Sequence, residues 1–231
     1  MKFKIVSLFV LCAILISCGT SRQGGKKQRK GTKAQVVLTP EQQRKYDYFF
    51  LEASRLKMKD DYSAAFDLLQ HCLTINPNAS SALYEISQYY MYLKQVPQGQ
   101  AALEKAVEND PDNYWYSQGL ASLYQQQNEM QKATNLLESM ATRFSDRMDP
   151  LYSLLDIYNR LEEYDNVITT LNRLEEKMGK NEQLSMEKFR IYLQKKDNQS
   201  AFREIESLVE EYPMDMRYQV ILGDVYMQND K

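Results

Sequence analysis

The chain of 231 residues is poor in the side chains that build most catalytic and metal sites. It has one histidine, His71, and three cysteines, which is too few for a zinc site of several His and Cys ligands. It contains no glycine-rich phosphate loop, G-x-S-x-G elbow or H-E-x-x-H helix. Acidic neighbours such as Glu175 and Glu176 point in different directions on a helix. The sequence therefore predicts a protein that is not an enzyme and that uses no metal and no cofactor.

Glycine and proline are also scarce, with 8 Gly and 6 Pro, so long loops are not expected. The hydrophobic fraction of 43% is sufficient for a packed core, which excludes a largely disordered chain.

Acidic residues are absent from residues 1–40, which carry eight lysines and arginines. The remaining 21 basic and 31 acidic residues give the rest of the chain a net charge of −10. Nucleic acid is not an expected partner of such an acidic body.

The N-terminus has the pattern of an export signal. Lys2 and Lys4 give a positive start, and the apolar run over residues 5–16 is too short to span a bilayer. The run ends in L-I-S-C-G at residues 15–19, which resembles the lipobox of bacterial lipoproteins. This resemblance implies a signal peptide over residues 1–17, lipidation of Cys18, and attachment to the cell envelope at the outer membrane, facing the periplasm. An ordinary secretory signal is the alternative.

Residues 18–39 follow as a basic, flexible tether without helical periodicity. Removal of Cys12 with the signal and lipidation of Cys18 would leave Cys72 without a disulfide partner.

Two columns of residues recur at intervals of 34 positions in the rest of the chain. The first column consists of tyrosines: Tyr90, Tyr124, Tyr158, Tyr192 and Tyr226. The second consists of small or β-branched residues: Ala65, Gly99, Ala133, Val167 and Ala201. Two columns in one register identify a repeat, and an interval of 34 is that of the tetratricopeptide repeat.

The chain after residue 40 thus resembles tetratricopeptide-repeat (TPR) proteins. The resemblance implies an all-α fold, a right-handed superhelical solenoid of antiparallel helix hairpins with about five and a half repeats. Thr39 and Pro40 give a helix-start signal, so the solenoid is expected over residues 40–231. The repeats are expected near residues 46–79, 80–113, 114–147, 148–181 and 182–215, with a partial repeat at 216–231.

In this family the concave groove is lined by fixed positions of each first helix. The resemblance places the following groove residues: Tyr84, Gln88, Met91, Tyr92, Trp115, Gln118, Ser122, Gln125, Gln126, Tyr152, Asp156, Asn159, Arg160, Met186 and Arg190. Their tyrosine and amide side chains suit an extended peptide, because they combine apolar surface with hydrogen-bonding groups. Packing between repeats is the alternative for each of them.

These features together predict a membrane-anchored scaffold that binds an envelope protein or peptide. Its plan is similar to that of TPR lipoproteins of outer-membrane barrel assembly or type IV pilus assembly. Two alternatives remain: a recognition module of a longer envelope enzyme continuing after residue 231, and a protein that binds cell-wall glycans.

The last predicted helix has no second helix after it. We expect it to expose an apolar stripe made of Val220, Ile221, Leu222, Val225 and Tyr226, which further chain or a partner would cover.

Overall fold

The computed structural model describes residues 37–229, which form eleven α-helices and no β-strand. The predicted signal peptide, Cys18 and all but the last three residues of the tether lie outside the described residues. The helices are α1 Pro40–Lys57, α2 Tyr62–Ile75, α3 Ser80–Tyr92, α4 Val96–Asn109, α5 Tyr114–Gln126, α6 Met130–Arg143, α7 Asp149–Arg160, α8 Tyr164–Met178, α9 Glu182–Gln194, α10 Asn198–Glu211 and α11 Met216–Asn229.

Helix α1 starts at the signal seen in the sequence. The Thr39 hydroxyl accepts a hydrogen bond from the Gln42 backbone N–H, and the Gln42 side chain accepts one from the Thr39 N–H. Pro40 occupies the first turn, where its missing N–H costs no helical hydrogen bond.

The closest backbone packing between the described helices joins helices that are consecutive in the chain. Five hairpins form in this way, from α1 and α2 to α9 and α10, and each packs on the next. Packing of each repeat on its neighbours alone is the defining property of a solenoid. The predicted all-α solenoid of helical hairpins is therefore confirmed.

The column of small residues lies where the two helices of each hairpin meet. Ala65, Ala133, Val167 and Ala201 are 0% exposed. A Cβ on Gly99 of α4 would lie 2.8 Å from Met91 Cε and 3.1 Å from the Ser87 carbonyl oxygen, both on α3. The second hairpin packs closely because residue 99 has no side chain.

The tyrosine column is buried in the middle of the solenoid and becomes exposed towards its last described helix. Tyr124 and Tyr158 are 8% and 9% exposed, whereas Tyr226 on α11 is 49% exposed. Tyr90 and Tyr192 are half-buried. Tyr124 and Tyr158 thus fill the space between neighbouring hairpins.

The turn inside each hairpin repeats a left-handed residue at the same 34-residue interval. This residue has a φ between 57° and 61° and is never glycine: it is Asp60, Lys94, Asn128, Glu162 or Lys196. The following residue donates its N–H to the carbonyl five positions earlier, as Gln95 does to Tyr90 at 2.8 Å. These bonds form a Schellman motif, which satisfies carbonyls at the end of the first helix. Each of the five described hairpins therefore has a left-handed residue in its turn.

A buried ion cluster interrupts the apolar core between the fourth and fifth hairpins. Ile86, Leu120 and Leu154 occupy one core position of successive repeats, and Lys188 occupies the same position on α9. Lys188 is 4% exposed, and its Nζ lies 2.8 Å from Glu175 Oε2 and 3.0 Å from Glu204 Oε1. Burial lowers the pKa of Lys188, but the two carboxylates outweigh it and the net pKa is raised.

The expected apolar stripe on α11 is partly wrong. Val225 is 8% exposed and Ile221 and Leu222 are half-buried, because all three belong to the apolar cluster that α11 forms with α9 and α10. Val220 is 60% exposed, as expected. The periodicity predicted which residues of α11 are apolar. Packing against the preceding helices determines which of them are buried.

Candidate binding surface

The first helices of the hairpins present a surface that we call the A face, formed by the exposed side chains of α1, α3, α5, α7 and α9. The predicted groove residues lie on these helices, and none is buried. The half-buried ones are Tyr84, Met91, Gln118, Gln125 and Met186. The exposed ones are Gln88, Tyr92, Trp115, Ser122, Gln126, Tyr152, Asp156, Asn159, Arg160 and Arg190.

Two of the predicted residues, Gln88 and Tyr92, line a cavity of about 390 Å³ between the first and second hairpins. We call it the tyrosine cavity; its lining residues are Lys57, Tyr62, Gln88, Tyr89 and Tyr92. The centroid of the Tyr62 ring lies 6.3 Å from the centroids of both Tyr89 and Tyr92. The hydroxyl of Tyr62 donates a hydrogen bond of 2.7 Å to Asp60 Oδ1. The Tyr62 ring is thus held by Asp60 beside the rings of Tyr89 and Tyr92.

Two polar groups of the tyrosine cavity differ in whether they have a partner: Lys57 has one, and the Tyr89 hydroxyl has none among the described residues. Lys57 Nζ lies 2.7 Å from Glu85 Oε2, and this hydrogen bond raises the pKa of Lys57. Tyr89 is 7% exposed, and its hydroxyl is buried without a hydrogen-bond partner in the described structure. Burial raises the pKa of Tyr89. The cavity therefore combines a neutralised ion pair with a hydroxyl that has no partner.

A second cavity of about 370 Å³ lies between the first helices of the first three hairpins. Its lining residues are Phe50, Ser81, Tyr84, Glu85, Asn113, Trp115 and Tyr116. The rings of Tyr84 and Tyr116 are 4.8 Å apart and inclined by 30°. Trp115 is 62% exposed, and the guanidinium of Arg147 lies 5.6 Å from its ring centroid. Trp115 therefore offers its ring to solvent instead of filling the space between repeats.

Several predicted groove residues of the fourth and fifth hairpins form contacts with side chains of their own hairpin. Arg160 pairs with Asp156 on the same helix at 3.8 Å, and Arg190 pairs with Glu187 at 2.5 Å. The hydroxyl of Tyr152 lies 3.4 Å from Met178 Sδ. Both cavities with aromatic linings thus lie on the first three hairpins.

Sequence reasoning missed Lys57, Tyr62 and Tyr89 in the tyrosine cavity, and it missed Phe50, Ser81, Glu85, Asn113 and Tyr116 in the second cavity. Tyr62 and Tyr89 do not occupy the family's groove positions, and Tyr62 begins a second helix, α2. The signal that could have found Tyr89 is the density of tyrosine in residues 84–92, where four of nine residues are tyrosine.

The side chains considered for chemistry do not come together. Cys72 is fully buried, and burial raises the pKa of its thiol to about 11. His71 is exposed, with its ring 5.5 Å from that of Phe49. Within residues 37–229 there is no group of three or more His, Cys, Asp and Glu side chains arranged to hold a metal ion. In the same part of the chain, no helix combines the length and the apolar character needed to cross a bilayer.

Comparison with known proteins supports the repeat assignment. The model of the tetratricopeptide-repeat family matches residues 80–113. No curated protein matches the chain.

Similar solved structures are TPR proteins or share their fold. One is a tetratricopeptide repeat protein from Parabacteroides merdae, with a TM-score of 0.54 and 17% identity, covering 81% of this chain and 75% of that one. MamA protein gives a TM-score of 0.54 and 18% identity, covering 76% of this chain and 96% of its own. YrrB, described as a TPR protein with an unusual peptide-binding site, gives a TM-score of 0.51 and 13% identity over 75% of this chain and 89% of its own. At these identities the likeness concerns the fold.

Proposed function

Because the chain is a tetratricopeptide-repeat protein by its fold and by the sequence of its second repeat, we propose that it is a protein-interaction scaffold of the bacterial cell envelope. It binds extended peptide segments of envelope proteins on the A face. Solenoids of this kind present extended surfaces suited to such ligands. The proposal needs no catalytic group.

The observation that carries the proposal is the pair of aromatic cavities on the first three hairpins. Glu85 lines one cavity, and its ion-pair partner Lys57 lines the other, so the two cavities are neighbours. An extended peptide presents apolar side chains at regular intervals, and neighbouring pockets can receive successive ones. Gln88 of the tyrosine cavity and Tyr84 of the second cavity can hydrogen-bond the peptide backbone.

The membrane anchor is the second part of the proposal. It rests on the sequence pattern of residues 1–19, with Cys18 as the lipidated residue and residues 18–39 as the tether. Several acyl chains would hold the protein firmly, because each buried CH₂ contributes about 0.8 kcal/mol. A solenoid held by such a tether would meet partners at the membrane surface, which we propose is that of the outer membrane, on its periplasmic side.

The test is photo-crosslinking in intact cells from Gln125, a half-buried residue of the A face on α5. A photoreactive residue at this position is expected to give a discrete adduct with an envelope protein, identified by mass spectrometry. Gln131 is the matched control, because it is an exposed glutamine on the second helix of the same hairpin.

A third position, Val220, samples the exposed part of α11. Equal adducts from Gln125 and Gln131 would indicate non-specific capture and contradict the proposal. Adducts from Val220 alone would move the binding surface from the A face to the last helix, and the assignment of the A face would be abandoned.

A further inference from the structure

We propose that the junction between the fourth and fifth hairpins is a hinge, about which the fifth hairpin rolls so that α10 swings away from α8. Three features set this junction apart from the other three between the described hairpins: the loss of a recurring hydrogen bond, a glycine in the linker, and a charged residue at the core position. Both aromatic cavities lie on the first three hairpins, so the swing moves α10 and α11 and leaves the cavities unchanged.

At each of the first three junctions, a donor at the end of a second helix reaches back to the linker that precedes its hairpin. The donors recur at intervals of 34 residues, and the bonds are Asn109 to the Asn78 carbonyl at 3.1 Å, Arg143 to the Asp112 carboxylate at 2.7 Å, and Lys177 to the Ser145 carbonyl at 2.6 Å. The next residue in this column is Glu211, the last residue of α10. Its carboxylate has no hydrogen to donate, so the end of α10 is not tied to its linker by this bond.

The linker itself, residues 179–181 between α8 and α9, is also less restricted than the first two linkers. Gly179 has a φ of 81°, and a Cβ at this position would meet nothing within 4 Å. The first two linkers contain Pro77 and Pro111, whose rings fix φ. Because glycine has the widest range of backbone conformations, the linker before the fifth hairpin can follow a rotation of that hairpin.

Helix α9 is the axis of the rotation, because it is the part of the fifth hairpin that is held on α8. Leu184 and Ile191 of α9 are buried in the same apolar cluster as the side chains of α8. At the end of α9, Lys195 forms an ion pair with Asp165 of α8. The core inside the fifth hairpin, around Ile205 of α10, is a separate cluster that it shares with α11. The fifth hairpin can therefore roll as a unit without opening its own core.

Lys188 is the latch of the hinge. Its ammonium group pairs with Glu175 of α8 at 2.8 Å and with Glu204 of α10 at 3.0 Å, where the preceding hairpin has the apolar Leu154. When α10 swings away, Lys188 keeps Glu204, which belongs to its own hairpin. The side chain of Glu175 is already 23% exposed and becomes hydrated. The swing therefore leaves no buried charge without a partner, which is the costly outcome when a buried ion pair breaks.

The hinge is tested by the distance between two spin labels, measured by pulsed electron paramagnetic resonance on the full chain purified in detergent. The labels are attached through encoded keto amino acids, so the native cysteines stay unlabelled. The hinge pair replaces Asn135 of α6 and Arg203 of α10, and the control pair replaces Asp67 of α2 and Asn135. All three positions are exposed and equivalent in their repeats, so each pair spans two repeats. We expect the distance distribution of the hinge pair to be about twice as broad as that of the control pair or broader. Equal widths overturn the inference.

Glu211→Asn restores a donor at the end of α10. The new amide can reach the carbonyl of Lys180, as Asn109 reaches that of Asn78 in the second hairpin. The distribution of the hinge pair is expected to narrow towards that of the control pair. Glu210→Asn is the matched control, because it removes the same charge from the neighbouring exposed residue, which is outside the column of donors. An unchanged width for Glu211→Asn, or equal narrowing by both variants, overturns the inference.

Glu175→Gln weakens the latch, because Lys188 then has no charged partner on α8. The hinge pair is expected to give a broader distribution than in the wild type, while the control pair stays the same. The far-ultraviolet circular dichroism spectrum should not change, since Lys188 keeps Glu204. Glu176→Gln, at the exposed neighbouring position, is the control and should leave both pairs unchanged. An unchanged hinge pair in Glu175→Gln, or broadening of both pairs, contradicts a latch at this junction and overturns the inference.

Discussion

Tyr124 of α5 donates its hydroxyl hydrogen to Glu104 Oε1 of α4 across 2.9 Å, joining two neighbouring hairpins. The next repeat makes the same contact, because Tyr158 donates to Glu138 Oε1 at 3.3 Å. The tyrosine column therefore fills the space between hairpins and also hydrogen-bonds across it.

Tyr124→Phe is expected to lower the free energy of unfolding by about 1 kcal/mol, the typical contribution of one hydrogen bond. Chemical denaturation at neutral pH measures the loss. Tyr226→Phe is the control and should have little effect, since Tyr226 is 49% exposed. Equal losses from the two variants would contradict the role given to the Glu104 bond.

The same tyrosine should contribute to the pH dependence of stability. Burial, followed by the hydrogen bond to Glu104, raises the pKa of Tyr124 above its ordinary value of 10.0. A raised pKa in the folded state gives stability that is complete below pH 10 and falls as the pH rises above it. Between pH 9 and 11, the wild type should therefore lose more stability than Tyr124→Phe.

Ala133→Trp is expected to destabilise the third hairpin by about 1 to 3 kcal/mol or more, because Ala133 is fully buried where α5 and α6 meet. Ala101→Trp places the same side chain on an exposed position of α4 and should change the melting temperature little. A tolerated tryptophan at position 133 would mean that the column of small residues does not set the spacing of the helices.

Glu162→Gly is expected to stabilise the protein by up to about 1 kcal/mol. Glu162 has a φ of 57°, which is unfavourable for a residue with a Cβ, and its negative charge follows the C-terminus of α7. Asn128→Gly should give a smaller gain, because asparagine tolerates this conformation better than glutamate. Thermal unfolding of both variants measures the difference, and a lower melting temperature for Glu162→Gly would refute the argument from strain.

Lys188→Met is expected to destabilise the fold by about 3 kcal/mol, because it leaves Glu175 and Glu204 without their shared cation. Adding Glu175→Gln and Glu204→Gln should recover much of the loss, since no buried charge then lacks a partner. Urea unfolding of the single and triple variants tests this. If the triple variant is no more stable than the single one, uncompensated charge is not the cause.

Cys18→Ala is expected to move the protein from the membrane fraction to the soluble fraction. Cys12→Ala is the matched control, because Cys12 lies in the segment expected to be removed and its loss should leave attachment unchanged. Fractionation followed by immunoblotting measures both. Continued detergent-dependent attachment of the Cys18 variant would exclude this cysteine as the anchor.

The fold could be predicted because the residues that determine its packing recur at a fixed interval. Tyr124, Ala133 and their equivalents recur every 34 positions, and a solenoid packs each repeat only against its neighbours, so the pattern of one repeat specifies the contacts of all. Prediction was weaker where a residue departs from the pattern. Lys188 stands at a core position, and its two carboxylate partners come from other helices, so spacing along the chain does not reveal the cluster.

The A face was predicted in part. Gln88, Tyr92, Tyr84 and Trp115 lie at the family's groove positions, and the structure places each of them in one of the two cavities. Their role in binding remains a prediction.

The sequence by itself determined the class of the fold and the register of the repeats, because both depend on spacing along the chain. The tertiary structure alone decided which side chains share a cavity. Tyr62 and Tyr92 are 30 positions apart on different helices, and their rings meet only because the first and second hairpins pack together. It also decided that the Tyr89 hydroxyl has no hydrogen-bond partner among the described residues, since that depends on every group around it and not on its own position in the repeat.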